Sequence, residues 1–171
     1  MSIRREKRSY EGSFNPITKG HEDLILRAAS IFDEVIVAVF NNVDKKYEFS
    51  LTEREKLCRA AFVGVRNVRT VSSDGMVVDL CREENCFLLL RGVRDESDLR
   101  YEKMMSEANK RFEPRCETLF MTASEKYERL SSTAVRKIIS GNGSFIGLIP
   151  EKAEKCLVEI LEERKGGKYE K

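Results

Sequence analysis

From Ile17 onward, short apolar runs alternate with amphipathic stretches, the pattern of a parallel sheet covered by helices. Leu24, Ile25, Ala28, Ala29 and Phe32 recur at a spacing that makes one apolar stripe, which predicts a first helix over 19–32. The run Val35-Ile36-Val37-Ala38-Val39-Phe40 follows as a strand. Ser50 with Glu53 three residues later is a capping-box pattern, and it opens a second helix that reaches about Phe62. A short strand is expected over 68–71 and a helix over 76–84. Phe87-Leu88-Leu89-Leu90 is a continuous apolar run of the kind found in strands buried on both faces, and it ends at Arg91-Gly92. A long charged helix over 96–112, a strand over 118–121 and a helix opening near Ser131 complete the alternation. Gly141 and Gly143 end that helix, and Pro150 stands where a last one starts.

The fold class this implies is α/β: a doubly wound, Rossmann-like, parallel five-stranded sheet with helices on both faces, in a single domain over 10–164. The tail over 165–171 is expected to be flexible. The first residues break the pattern. A glycine turn at Gly12 in a doubly wound sheet follows an apolar central strand, yet Arg4 to Ser9 is nearly all charged. Burying such charges unpaired costs several kcal/mol each. Residues 1–9 are therefore expected to form an atypical segment that is displaced, exposed at an edge, disordered or altered.

Composition narrows the function. With 171 residues, 41% apolar and 35% charged, the chain is long enough for one sizeable core. Lys and Arg number 31 against 29 Asp and Glu, a net charge of +2, so no global polycation is available for nucleic acid or an anionic membrane. Anion binding has to be local. No apolar run approaches the roughly 20 residues of a bilayer span. The basic start Arg4-Arg5-Glu6-Lys7-Arg8 leads into no apolar signal segment, so a cytoplasmic location is expected. The five cysteines, Cys58, Cys81, Cys86, Cys116 and Cys156, lack a C-x-x-C pair and fall mostly on apolar-periodic positions, which reads as reduced core thiols. With His21 the one histidine, a zinc site of ordinary ligand count is hard to assemble.

Three stretches have the chemistry of anion binding. The first, Tyr10-Glu11-Gly12-Ser13-Phe14-Asn15-Pro16-Ile17-Thr18-Lys19-Gly20-His21, is a glycine turn followed by Thr-x-Gly-His at the mouth of a helix. Unpaired N–H groups and the positive end of the macrodipole suit a phosphate there, with Thr18 and His21 as added donors. The plain alternative is a turn at Gly12, a capping Thr18 and a surface His21. The second, Arg91-Gly92-Val93-Arg94, begins at the carboxyl end of the most apolar strand, where open α/β sheets bind ligands. Taken alone, an ordinary polar loop closed by Gly92 is the better explanation. The third, Leu130-Ser131-Ser132-Thr133-Ala134-Val135-Arg136, puts hydroxyls in a first helical turn, where capping alone is the usual role. Lys45-Lys46 is ordinarily solvated charge, and Glu102 on its helix can simply face water. What changes the weighting is that three such positions follow three different strands and can surround one nucleotide.

In series these motifs resemble the nucleotidyltransferase superfamily, and specifically the bacterial phosphopantetheine adenylyltransferases. The resemblance runs in order from Tyr10 to about Leu161. It rests on Gly12-Ser13-Phe14-Asn15-Pro16-Ile17-Thr18-x-Gly20-His21, Asp44-Lys45-Lys46, Arg91-Gly92-x-Arg94-x-x-x-Asp98-x-x-Tyr101-Glu102 and Leu130-Ser131-Ser132-Thr133. It implies transfer of AMP from Mg-ATP to 4′-phosphopantetheine, giving dephospho-coenzyme A and pyrophosphate in coenzyme A synthesis. The attack is direct and in line, with no covalent enzyme intermediate, so positioning and charge stabilisation are what the protein supplies. By that resemblance His21 stabilises the transition state, with Thr18 and Lys45 beside it in the catalytic set. Ser13, Lys45, Val77 and Arg91 hold the acceptor. Ser13, Phe14, His21, Gly92, Val93, Arg94 and Glu102 contact ATP, together with Tyr127, Glu128, Arg129, Leu130, Ser131, Ser132 and Thr133. Mg²⁺ is held mainly by phosphate oxygens and water, without a protein metal site. The resemblance further implies a homohexamer and coenzyme A as an inhibitor. Departures from the family pattern are Glu11 for a usual Pro, Asn15 for a common Asp, Thr122-Ala123 for Met-Pro, and Arg100 where an aromatic or acidic residue is frequent. Two alternatives stay open at this point: a nicotinate or nicotinamide mononucleotide adenylyltransferase, and a catalytically silent relative that binds a nucleotide or coenzyme A.

Overall fold

The computed structural model describes residues 7–41 and 46–166. Five strands, β1 (Lys7–Gly12), β2 (Glu34–Phe40), β3 (Val68–Ser73), β4 (Leu88–Val93) and β5 (Glu117–Thr122), form an all-parallel sheet in the order β3-β2-β1-β4-β5. Six helices connect or follow them: α1 (Lys19–Ala29), α2 (Leu51–Ala61), α3 (Val77–Glu84), α4 (Glu96–Phe112), α5 (Ser132–Ser140) and α6 (Glu151–Gly166). Side-chain alternation on β2 assigns the layers. Val35, Val37 and Val39 join the main core with Leu24 and Ile25 of α1, Leu57 of α2, Val135 of α5 and Leu157 of α6. Ala38 and Phe40 face the other way and pack on Leu80 of α3. Every residue of β2 beyond Glu34 is buried, as its unbroken apolar sequence requires for a strand covered on both faces.

The expectation for the charged start is corrected for Lys7, Arg8 and Ser9; residues 1–6 lie outside the described residues. All three stand in register on β2, Lys7 opposite Glu34 and Ser9 opposite Ile36, in the middle strand of the sheet. The reason is geometric. Lys7 and Arg8 occupy the end of the strand, where a long side chain can lay its stem on the protein and keep its charge near water. Lys7 Nζ lies 3.9 Å from the Glu34 carboxylate, and the Arg8 guanidinium sits 4.5 Å above the Phe32 ring. The ladder is a property of the backbone, so it forms without apolar side chains at those positions.

A second correction concerns β4. The apolar run stops at Leu90, but the strand continues through Val93, with Arg91 opposite Phe120 and Gly92 opposite Met121 on β5. Arg91 and Gly92 are thus strand residues and not the loop they were expected to form. On its other side β4 pairs with β1 at Ser9 and Tyr10 alone, so the two halves of the sheet part beyond Tyr10. That divergence lies between β1 and β4, where the connections change direction and open α/β sheets place ligands. At the far end of the chain, α6 continues through Gly166 into the stretch expected to be a flexible tail.

Candidate functional site

The stretch between β1 and α1 forms one wall of a cavity of about 640 Å³, within the range of small-molecule sites. Thr18 is the N-cap of α1: its hydroxyl accepts from the backbone of His21 at 3.4 Å, while its own backbone N–H donates to His21 Nδ1 at 3.1 Å. His21 therefore fills the place that Glu or Gln takes in an ordinary capping box. The imidazole is packed edge-on against Phe14, centroids 5.2 Å apart at 70°. Burial, reinforced by Arg94 and Arg91, lowers its pKa to about 4, so the ring is neutral at neutral pH. Phe14 sits at φ 44, a left-handed conformation rare outside glycine, and the surrounding contacts hold it there.

Those contacts come from three elements. Arg54 of α2, fully buried, donates to the carbonyl oxygens of Ser13 (2.7 Å), Phe40 (2.9 Å) and Phe49 (3.0 Å), and also to the Asn41 side chain. Asn15 Oδ1 accepts the backbone N–H of Phe49 at 3.1 Å. From α5, Arg136 donates to the Asn15 carbonyl at 2.6 Å and the Ser132 hydroxyl to the Pro16 carbonyl at 2.7 Å. Because N–H and C=O of a planar trans peptide point in opposite directions, fixing the Ser13 carbonyl on Arg54 turns the Phe14 N–H the other way. Helix α5 also starts at the cavity: Ser131 is its N-cap and accepts from Ala134 at 3.1 Å. Two helix N-termini, each with a positive dipole end, thus open onto one space.

The third wall is the diverging end of β4. Arg91 donates from Nε and Nη2 to the two Glu102 oxygens at 2.6 and 2.7 Å, and from Nη1 to the main-chain carbonyl of Glu11. Its Nη1 also lies 3.8 Å from Glu11 Oε1. Burial works against the charge on Arg91, but Glu11 and Glu102 outweigh it and hold its pKa above the ordinary value. Glu11, 6% exposed, is pushed by burial up to about 7 although Arg91 pulls it down. Arg94, on the rim, is held by Asp98 at 2.6 and 3.0 Å. Gly92 is required by space: a Cβ there would come within 2.4 Å of Leu24 Cδ1 and 2.8 Å of Tyr10 Oη.

The structure brings Ser13, Phe14, Thr18, His21, Arg91, Gly92, Arg94, Glu102, Tyr127, Leu130, Ser131, Ser132 and Thr133 to this one cavity. Val77, the first residue of α3, lines a smaller adjoining space of about 40 Å³ together with Glu11, Arg91 and Glu102. Val93, Glu128 and Arg129 are not among the lining residues, and Val93 is buried in the sheet. Lys45 lies outside the described residues; its neighbour Lys46 lines the cavity. Glu102 does not face water: it is 9% exposed and clamps Arg91. Sequence reasoning missed Arg54, and it included Arg136 in the hydroxyl-rich stretch without assigning it a role. Arg136 stands three residues after Thr133, on the same helical face, which is a legible signal. Arg54 carries none, because its partners are main-chain carbonyls of other segments.

Among the described residues no group of three or more His, Cys, Asp or Glu is arranged to hold a metal ion, and no helix is long and apolar enough to cross a membrane. A family model described as cytidylyltransferase-like matches residues 9–138. The phosphopantetheine adenylyltransferase of Clostridium novyi is 41% identical over 152 residues, 89% of this chain and 94% of that protein. The one of Thermosynechococcus vestitus is 44% identical over 148 residues, 86% and 88% of the two chains. The crystal structure of a putative nicotinate-nucleotide adenylyltransferase from Vibrio parahaemolyticus is similar in fold, with a TM-score of 0.65, 16% identity and 90% and 91% coverage.

Proposed function

The chain belongs to the phosphopantetheine adenylyltransferase family of nucleotidyltransferases, and from that membership we propose that it transfers AMP from ATP to the phosphate of 4′-phosphopantetheine, releasing pyrophosphate and forming dephospho-coenzyme A. The observation that carries this reading at the level of chemistry is the convergence of the N-termini of α1 and α5, with His21, on the cavity that Arg91 and Arg94 close. Such a space offers donors to a polyanion, which suits direct transfer between two phosphates.

In the reaction an oxygen of the acceptor phosphate forms a bond to the α-phosphorus while the bond to the departing pyrophosphate breaks. His21, neutral, donates one N–H to the α-phosphate as negative charge gathers on it. Ser13 and Phe14 of the glycine turn, with Thr18 behind His21, line the place where that phosphate sits. Ser131, Ser132 and Thr133 at the start of α5 receive the outer phosphates, and Arg94 borders them. Arg91 and Ser13 receive the acceptor phosphate, with Val77 on the pantetheine side; Lys45, by the family pattern, joins them. Mg²⁺, held mainly by phosphate oxygens and water, would supply charge neutralisation on the triphosphate. The cavity wall suits that arrangement, because Glu102 and Asp98 are already engaged by Arg91 and Arg94.

The cytosol is the compartment this reading calls for, and the five free, buried thiols accord with it. A homo-oligomer, a hexamer by family pattern, has a ready surface in Leu99, Met104 and Phe112 of α4 and Leu119 and Phe120 of β5, all exposed. The deciding experiment is pyrophosphate release with ATP, Mg²⁺ and either 4′-phosphopantetheine or nicotinamide mononucleotide. Release with phosphopantetheine alone is expected. Release with the mononucleotide alone would move the chain to the other branch, and ATP binding without release from either would identify a silent relative.

A further inference from the structure

Glu11 is an oddity of this site. It stands on the middle strand, 6% exposed, and borders both the main cavity and the smaller space behind it. Its Oε1 lies 3.8 Å from Arg91 Nη1, while its Oε2 is buried with no hydrogen-bond partner. An ionised oxygen left so would forfeit its hydration without compensation. Arg91 does not supply the missing bond: it donates to both Glu102 oxygens and to the Glu11 carbonyl, and its nearest approach to the Glu11 carboxylate is the 3.8 Å to Oε1.

We propose that Glu11 is a positioning residue for the acceptor: it carries a proton when the acceptor phosphate binds at Arg91, and its O–H donates to a phosphate oxygen. The inference rests on the assignment of the acceptor phosphate to Arg91. A dianionic phosphate brought against Arg91 meets two carboxylates, Glu11 and Glu102, already sharing that cation. One proton held between Glu11 and the phosphate removes a charge from the cluster and turns a repulsive oxygen into a charge-assisted donor. The proton is taken from solvent, or arrives on the phosphate monoanion, and stays on Glu11 while the phosphate oxygen attacks.

Among the described groups around it whose pKa is shifted, Glu11 is the one drawn into the neutral range. Burial raises it to about 7 against the pull of Arg91, with Glu102 on α4 adding to the rise. Tyr10 beside it on β1 is pushed by burial up to about 12. The thiols that feel its charge, Cys81 on α3, Cys86 and Cys116, are all raised by burial and stay neutral. His21 across the cavity, at about 4, is neutral as well. The acceptor phosphate itself loses its second proton near pH 6.

The test is the pH dependence of KM for 4′-phosphopantetheine and for ATP, read from pyrophosphate release by the full chain and by Glu11→Gln. For the native protein, kcat/KM for the acceptor should rise through about pH 6 and fall above about pH 7, by up to about tenfold per pH unit. KM for ATP should stay level, and Glu11→Gln should keep the rise and lose the fall. Calorimetric titration of the acceptor at pH 8, in buffers of different ionisation enthalpy, should show close to one proton taken up by the native protein and none by the variant. Should Glu11→Gln fail to fold, Glu11→Ala removes the same carboxylate and gives the same reading. An alkaline fall that survives in the variant, or none in the native protein, overturns the proposal while leaving the activity intact. No pyrophosphate release by the native protein at any pH would overturn the assigned activity itself, and this proposal with it.

Discussion

His21 Nδ1 lies 3.1 Å from the backbone nitrogen of Thr18. A backbone N–H only donates, so Nδ1 is unprotonated and the neutral ring carries its hydrogen on Nε2. The cap of α1 thereby selects the tautomer with which His21 faces a phosphate.

His21→Ala should lower kcat by about 10² to 10³, the usual cost of one preorganised donor, with a smaller change in ATP affinity. Equal losses in binding and rate would mean that His21 serves the ground state. Because the folded pKa is lowered, to about 4, the neutral ring contributes its full stability above its ordinary value near 6.5 and loses it as pH falls toward 4. Chemical denaturation of His21→Gln should lack that acid decline.

Arg91→Ala should raise KM for 4′-phosphopantetheine more than KM for ATP, as steady-state kinetics with each substrate varied in turn would show. The reverse ranking would place Arg91 on the nucleotide. The substitution also leaves Glu11 and Glu102 without their shared cation, so its stability penalty should be larger at pH 8 than at pH 5, where Glu11 is protonated.

Glu11→Gln should be more stable than the native protein at pH 8. A carboxyl raised from 4.5 to about 7 on folding favours the folded state only while protonated. The native protein therefore gives up stability as pH rises from about 4.5 to 7, on the order of 3 kcal/mol. Urea midpoints of the two proteins should coincide near pH 4 and separate above it; parallel curves would refute this.

Arg54→Lys should destabilise by about 3 kcal/mol or more and also slow turnover. A lysine cannot reach the carbonyls of Ser13, Phe40 and Phe49 together, and buried carbonyls left unpaired cost about 1–3 kcal/mol each. A thermal scan combined with kcat separates this from a merely structural loss, since the Ser13–Phe14 turn should be misplaced even below the melting transition.

Gly92→Ala should cost about 1–3 kcal/mol by overpacking against Leu24 and Tyr10, both buried. Leu24 belongs to α1, the helix that carries His21, so kcat should fall in the surviving folded protein. Unchanged stability and rate would show that the two side chains move aside freely.

Apolar periodicity located β2 and the helices because burial on a fixed face leaves a repeating signature. The long helix α4 runs over the expected 96–112, since Asp95 caps it and its charges mark a solvent face. The same signature misled wherever position depends on the main chain. Lys7 to Ser9 form part of the middle strand through ladder bonds, and Arg91 remains in β4 through pairing with β5. In the site, the glycine turn, Thr18, His21 and the Ser131 cap were readable because each acts on its own helix. Arg54 acts on segments distant in sequence, and the clamp of Glu102 on Arg91 bridges a helix and a strand; neither leaves a local trace.

Beyond Tyr10, strands β1 and β4 have no ladder, and what bridges them is the Arg91 side chain on the Glu11 carbonyl. A side chain can be exchanged for a ligand in a way that a ladder cannot. The middle of the sheet is thus fastened, on its functional edge, by a side-chain clasp in place of a ladder, so the two half-sheets should loosen there once Arg91 is removed.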